Sequence, residues 1–178
     1  NGSDSDPTFI SNFPVDMAIR KLTTGSSGFI SSRLTGQLLN TDNKNAEGTG
    51  STLAFDNMDG FEDFAAASTQ YAWMWRRAPN YFDVVAFELG NSTNREVKHN
   101  LDATPEMIWW KKRSGSSNWA VFHKDLGQSK YLVLHDTAAE ATISNIWGTS
   151  SFSSSAFYLN EPQFGSSGDD CIAYLFAT

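Results

Sequence analysis

Apolar and aromatic residues fall along this chain in short runs, broken roughly every ten residues by clusters of Gly, Ser, Asn and Asp. No helical periodicity persists beyond two turns, whereas alternation of apolar and polar positions recurs. The pattern predicts strands over 17–21, 28–31, 37–39, 53–55, 60–64, 71–77, 81–89, 95–98, 107–113, 119–123, 131–134, 156–159 and 171–177. Only 137–145, a polar stretch, is expected to form a turn or two of helix. The fold class is therefore all-β, and Asp59-Gly60 between Phe55 and Phe61 marks a hairpin tip.

The pattern also repeats. Phe13-Pro14-Val15-Asp16-Met17-Ala18-Ile19-Arg20-Lys21 parallels Ala103-Thr104-Pro105-Glu106-Met107-Ile108-Trp109-Trp110-Lys111, with an acid before Met and a Lys four residues after it in both. Thr24-Gly25-Ser26-Ser27-Gly28-Phe29 then answers Ser114-Gly115-Ser116-Ser117-Asn118-Trp119, and Leu39-Asn40-Thr41 answers Leu134-His135-Asp136. Tyr71-Ala72-Trp73-Met74-Trp75 answers Ile172-Ala173-Tyr174-Leu175-Phe176. These landmarks imply two diverged tandem copies of one β-sandwich unit, 1–79 and 80–178, joined at Arg77-Ala78-Pro79-Asn80. The run Tyr81-Phe82-Asp83-Val84-Val85-Ala86-Phe87 opens the second copy as a strand. The first copy shows no such opening strand, so one is expected upstream of Asn1 or from another chain, and a start at Asn1 rather than Met fits a piece of something longer.

Composition narrows the chemistry. Charged residues make up 19% of the chain and the net charge is −7, which argues against nucleic acid as a partner, because phosphate binding needs concentrated Lys and Arg. Lys111-Lys112-Arg113 is too short and isolated to reverse that. No stretch is long and apolar enough for a membrane helix, and Cys171, the single cysteine, is expected to be buried and unpaired. The histidines His99, His123 and His135 have no zinc spacing, and the Asp56/Asp59/Asp63 group does not match a calcium loop, so neither metal nor cofactor is expected. No nucleophile elbow, P-loop or zinc-protease motif is present; Glu106, Glu140, Glu161, Asp169 and Asp170 are the carboxylates from which a glycosidase pair would have to be drawn.

Several segments resemble a concanavalin-like domain that occurs in tandem in tail fibres and other virion structural proteins of marine phages, including cyanophages. They are Tyr81-Phe82-Asp83-Val84-Val85, His99-Asn100-Leu101, Thr104-Pro105-Glu106-Met107-Ile108-Trp109, Asn118-Trp119-Ala120-Val121-Phe122-His123, Lys130-Tyr131-Leu132-Val133-Leu134 and the closing Ile172-Ala173-Tyr174-Leu175-Phe176. The resemblance is strong from Tyr81 onward and weaker before it. It implies a jelly-roll or concanavalin-like sandwich and a virion location, in a tail fibre or other extracellular appendage. The partners it implies are other virion subunits, with the chain itself a homo-oligomer such as a trimer, and a host-surface glycan. It carries no catalytic residues. A non-enzymatic host-recognition segment is the first expectation, a purely structural spacer or capsid decoration the second, and a polysaccharide hydrolase the third.

The aromatics supply the candidate site. Neighbours in a strand point to opposite faces, so Trp109 and Trp110 cannot enter one core together. Arg20 stands where the second copy has Trp110, which makes Trp110 the expected outward member. Trp110, with Trp119, His123 and Trp147, is therefore the expected binding set.

Overall fold

A computed structural model describes residues 7–23, 28–48, 53–63 and 70–178. The chain is all-β, with fifteen strands among the described residues and one 3-10 turn at Glu161–Gln163. In chain order the strands are β1 Phe9–Ile10, β2 Met17–Leu22, β3 Gly28–Ser32, β4 Leu38–Asn40, β5 Leu53–Ala54, β6 Gly60–Asp63 and β7 Gln70–Trp75. They continue with β8 Phe82–Glu88, β9 Arg95–Lys98, β10 Met107–Lys112, β11 Ala120–His123, β12 Lys130–Val133, β13 Ala141–Thr142, β14 Ala156–Leu159 and β15 Asp170–Phe176. The helix expected at 137–145 does not form. Asp136 instead accepts hydrogen bonds from the N–H groups of Thr137 and Ala138, and Ala141–Thr142 pairs with β12.

Among the described residues, four antiparallel sheets, in the orders β1-β6-β5, β4-β3-β2-β7, β13-β12-β11-β10-β15-β8 and β14-β9, stack in that sequence around three cores. Val15, Ala18, Phe55 and Phe61 fill the first gap. Met17, Ile30 and Leu39 meet Phe82, Val84, Trp119, Ile172 and Tyr174 in the second. The third and largest gap holds Ile108, Trp110, Phe122, Trp147, Phe157 and Phe164. Because the two middle sheets are covered on both faces, their strands read as nearly continuous apolar runs; β15 is Asp-Cys-Ile-Ala-Tyr-Leu-Phe with its five central residues buried.

The four-stranded sheet and part of the six-stranded one correspond strand by strand. β2 lies between β3 and β7 as β10 lies between β11 and β15, and Met17↔Trp75 matches Met107↔Phe176. The turns after β3 and β11 carry Gly36 and Gly127 at φ +64° and +74°, a left-handed backbone that favours glycine. Strand pairing corrects the alignment in detail. Arg20 faces Phe29 as Trp110 faces Ala120, so Phe29 answers Ala120 rather than Trp119; Leu39 answers Leu132, not Leu134. The stretch Thr24-Gly25-Ser26-Ser27 lies outside the described residues, as does Phe64.

The expected joint at 77–80 is a tight turn in which the Ala78 N–H donates to Phe82 O and the Asn80 N–H to Leu101 O. A second strap joins the halves more firmly. Around residues 40–47, Trp119 Nε1 donates to Asn40 O at 2.7 Å, and Arg113 grips Glu47 with two bonds of 2.9 and 2.8 Å. Lys111 Nζ donates to Lys44 O and Ser117 O.

Candidate functional site

The expected outward placement of Trp110 is wrong: it is 2% exposed and faces the third core. The Arg20 face is buried as well. Arg20 forms an ion pair with buried Asp63 on β6, under the sheet β1-β6-β5, while Trp110 lies under the β14-β9 layer. One sheet face thus has a charged pair in one half and an aromatic in the other, with a covering layer over both. Its pairing with Arg20 also takes Asp63 out of the Asp56/Asp59/Asp63 group.

The other expected site residues do not form one surface. Trp119 is buried in the second gap, on the opposite face of the six-stranded sheet from Trp110. Trp147 is buried with Trp110; both rings contact Phe164, at centroid distances of 5.2 and 4.5 Å, and its Nε1 donates to Lys130 O. His123 sits half-exposed at the end of β11, beside Asp125 and three rungs from Trp110.

Trp110 nevertheless forms the floor of a cleft. Where β10, β11 and β12 pass beneath residues 143–146 and the 3-10 turn, a space of about 140 Å³ opens. Trp110, Tyr131, Ile143, Ile146 and Phe164 give it apolar walls, and Ser117, Asn118 and Gln163 bring polar groups to it. Asn118 and Gln163 are exposed and Tyr131 half-buried, so the rim reaches solvent. The indole Nε1 of Trp110 is buried and has no hydrogen-bond partner among the described residues. Buried polar groups nearly always have one, so this N–H is a donor in want of an acceptor. No lining residue carries a charge.

The chain belongs to the family DUF7483, a domain of unknown function, whose model matches residues 26–178. The comparisons with curated proteins and with solved structures gave no match. The DUF7483 region spans β3 to β15 and so contains the cleft, the 40–47 strap and the six-stranded sheet; β1 and β2 precede it.

Four of the five carboxylates named as glycosidase candidates are engaged elsewhere, and the fifth, Asp170, is exposed at the start of β15. Glu106 accepts from Lys124 and Thr178, and these bonds hold its carboxyl below the usual range. Asp169 is likewise held low, chiefly by the Ser166 N–H and the Ser114 hydroxyl. Glu140 pairs with Lys130. Glu161 is fully buried and accepts from the N–H groups of Gly90 and Ser92, both at 2.8 Å, with Arg95 nearby. Its work is to close the β8–β9 turn, and none of these groups lines the cleft.

Of the residues lining this cleft, the sequence singled out Trp110, on the mistaken expectation that it faces outward, and not Tyr131, Phe164 or Gln163. Tyr131 reads as one more strand aromatic, and Phe164 follows Glu161-Pro162-Gln163 with no periodic pattern to mark it.

Proposed function

We propose that the chain is a non-catalytic binding module that recognises a neutral sugar of a host surface through the Trp110 cleft. The observation that carries this reading is the orphaned Trp110 N–H at the floor of an aromatic cleft with an amide rim. Tyr131 and Phe164 offer flat apolar faces, Asn118 and Gln163 offer both donors and acceptors, and the absence of charged lining favours an uncharged polyhydroxyl ligand. The space is smaller than the roughly 300–1,000 Å³ of drug-sized sites, which fits one sugar ring held weakly and made effective by many copies. The resemblance to tandem domains of marine phage virion proteins supports a tail fibre or other appendage as the setting. We further read the matching strand orders and registers as two diverged copies of one unit.

The test is binding of neutral mono- and disaccharides to the 178-residue chain, by saturation-transfer NMR and on a glycan array with the chain displayed multivalently. Asn118→Ala and Gln163→Ala, both at exposed positions, should each weaken binding while changing stability by no more than about 0.5 kcal/mol. Failure to bind any neutral sugar in multivalent form, or binding indifferent to both substitutions, would sink the proposal.

A further inference from the structure

β7 and β15 hold the same position in their sheets, but their outer edges differ. β15 is flanked through seven rungs by β8, from Phe82↔Phe176 to Glu88↔Asp170. β7 ends its sheet, with no strand on its outer side among the described residues. The consequence is visible in matched side chains. Ile172 and Tyr174 are 0% and 1% exposed, whereas their counterparts Tyr71 and Trp73 are 64% and 49% exposed. Trp75 O accepts from Asp16 N, so Trp75, Trp73 and Tyr71 turn their backbone groups toward β2, and Gln70, Ala72 and Met74 turn theirs outward. Open edges are normally guarded by Lys, Pro or a bulge, and Gln70–Trp75 contains neither Lys nor Pro.

We propose that β7 is an acceptor edge for an antiparallel strand of β8's pattern, donated by a partner chain. The donor chemistry follows from β8 itself. Ala86, Val84 and Phe82 stand opposite Ile172, Tyr174 and Phe176, so the incoming strand sets uncharged residues of that kind opposite Tyr71, Trp73 and Trp75. Its backbone bonds to Ala72 and Met74 supply affinity and its alternate side chains supply selectivity. The edge already filled within the same molecule is the argument for this occupant over a second β7.

The experiment uses the full 178-residue chain and a synthetic peptide with the sequence Tyr-Phe-Asp-Val-Val-Ala-Phe-Glu-Leu, flanked by lysines for solubility. Amide hydrogen exchange is read by NMR with and without peptide, and sedimentation is measured on the chain alone. The expected result is slowing of exchange at Ala72 and Met74 by about tenfold or more at saturation. The same peptide N-methylated at the amides that would face β7 should give no slowing. No slowing with the unmodified peptide, equal slowing with the methylated one, or slowing confined to β15 through displacement of the native β8 overturns the proposal. So does a chain that is already dimeric with Ala72 and Met74 protected, because the occupant is then a second copy.

Discussion

Lys111 holds its ammonium buried with no carboxylate partner among the described residues. The residue is 0% exposed, and Nζ donates to Ser117 O at 2.7 Å, to Lys44 O at 3.1 Å and to Ser117 Oγ at 3.3 Å. Burial, with a smaller contribution from neighbouring Lys112, pushes its pKa from 10.5 down to about 8. The unfolded chain therefore binds this proton more tightly than the folded one, and stability must rise with pH between those two values. At about 1.36 kcal/mol per pKa unit, the gain from pH 7 to pH 10 is about 2.5 kcal/mol. Other lysines and tyrosines titrate in the same window, so the measurement is a difference. Urea unfolding of the chain and of Lys111→Met is followed at pH 7, 8, 9 and 10. The wild-type minus variant stability should be flat below pH 7.5 and climb by about 2.5 kcal/mol by pH 10. At pH 7 the variant should be as stable as the parent or more so, since an apolar side chain of similar volume avoids the desolvation of an ammonium. A difference that stays constant, or falls with pH, would show that Lys111 is solvated or paired, and the strap built on Lys44 would lose its central contact.

Trp110→Ala should lower stability by about 3–5 kcal/mol in thermal or urea unfolding, as loss of a core aromatic does, so sugar binding must be tested at the rim and not at Trp110. A double-mutant cycle on Arg113 and Glu47 should return a coupling of about 1–3 kcal/mol, because the two-bond pair is largely shielded from solvent; a coupling near zero would mean that the strap is not held there. Glu161→Ala should cost about 2–3 kcal/mol in urea unfolding by leaving the Gly90 and Ser92 N–H groups without their acceptor. Cys171 is buried and free, and burial raises its thiol pKa, so a thiol reagent should modify it no faster than the domain unfolds globally.

Most strands were legible because they are short apolar runs separated by loops rich in Gly, Ser, Asn and Asp, and because pairing needs only local alternation to be recognised. The 137–145 segment was misread because its composition permits a helix while Asp136 captures the first two N–H groups that a helix would need, and Ala141–Thr142 finds a strand partner in β12. The landmark repeat was visible in Asp16-Met17 and Glu106-Met107, yet its register slipped after the first loop. A single-residue difference in loop length is invisible without the cross-strand rungs that tie Phe29 to Arg20 and Ala120 to Trp110.

The error at Trp110 has a different origin, and it concerns what alternation can say at all. Period 2 separates Trp109 from Trp110, and it did so correctly: Trp109 packs on Phe176 in the second gap and Trp110 on Phe164 in the third. The further step, that one of the two must face water, assumes a sheet with one wet face. In a stack of four layers the two inner sheets have none, so a polar residue aligned with an aromatic marks a change of covering layer. At Arg20 that layer supplies Asp63; at Trp110 it supplies Phe164 and leaves a gap beside it. Exposure in such a fold is decided at the edges and at the ends of strands. The Trp110 cleft lies where β10 to β12 run under the 3-10 turn, and Tyr71 and Trp73 lie where β7 has no strand on its outer side among the described residues. The same reasoning explains why one half could keep Ile172 and Tyr174 buried with ordinary apolar residues on β8. In the other half, large aromatics lie at an edge that no strand flanks among the described residues.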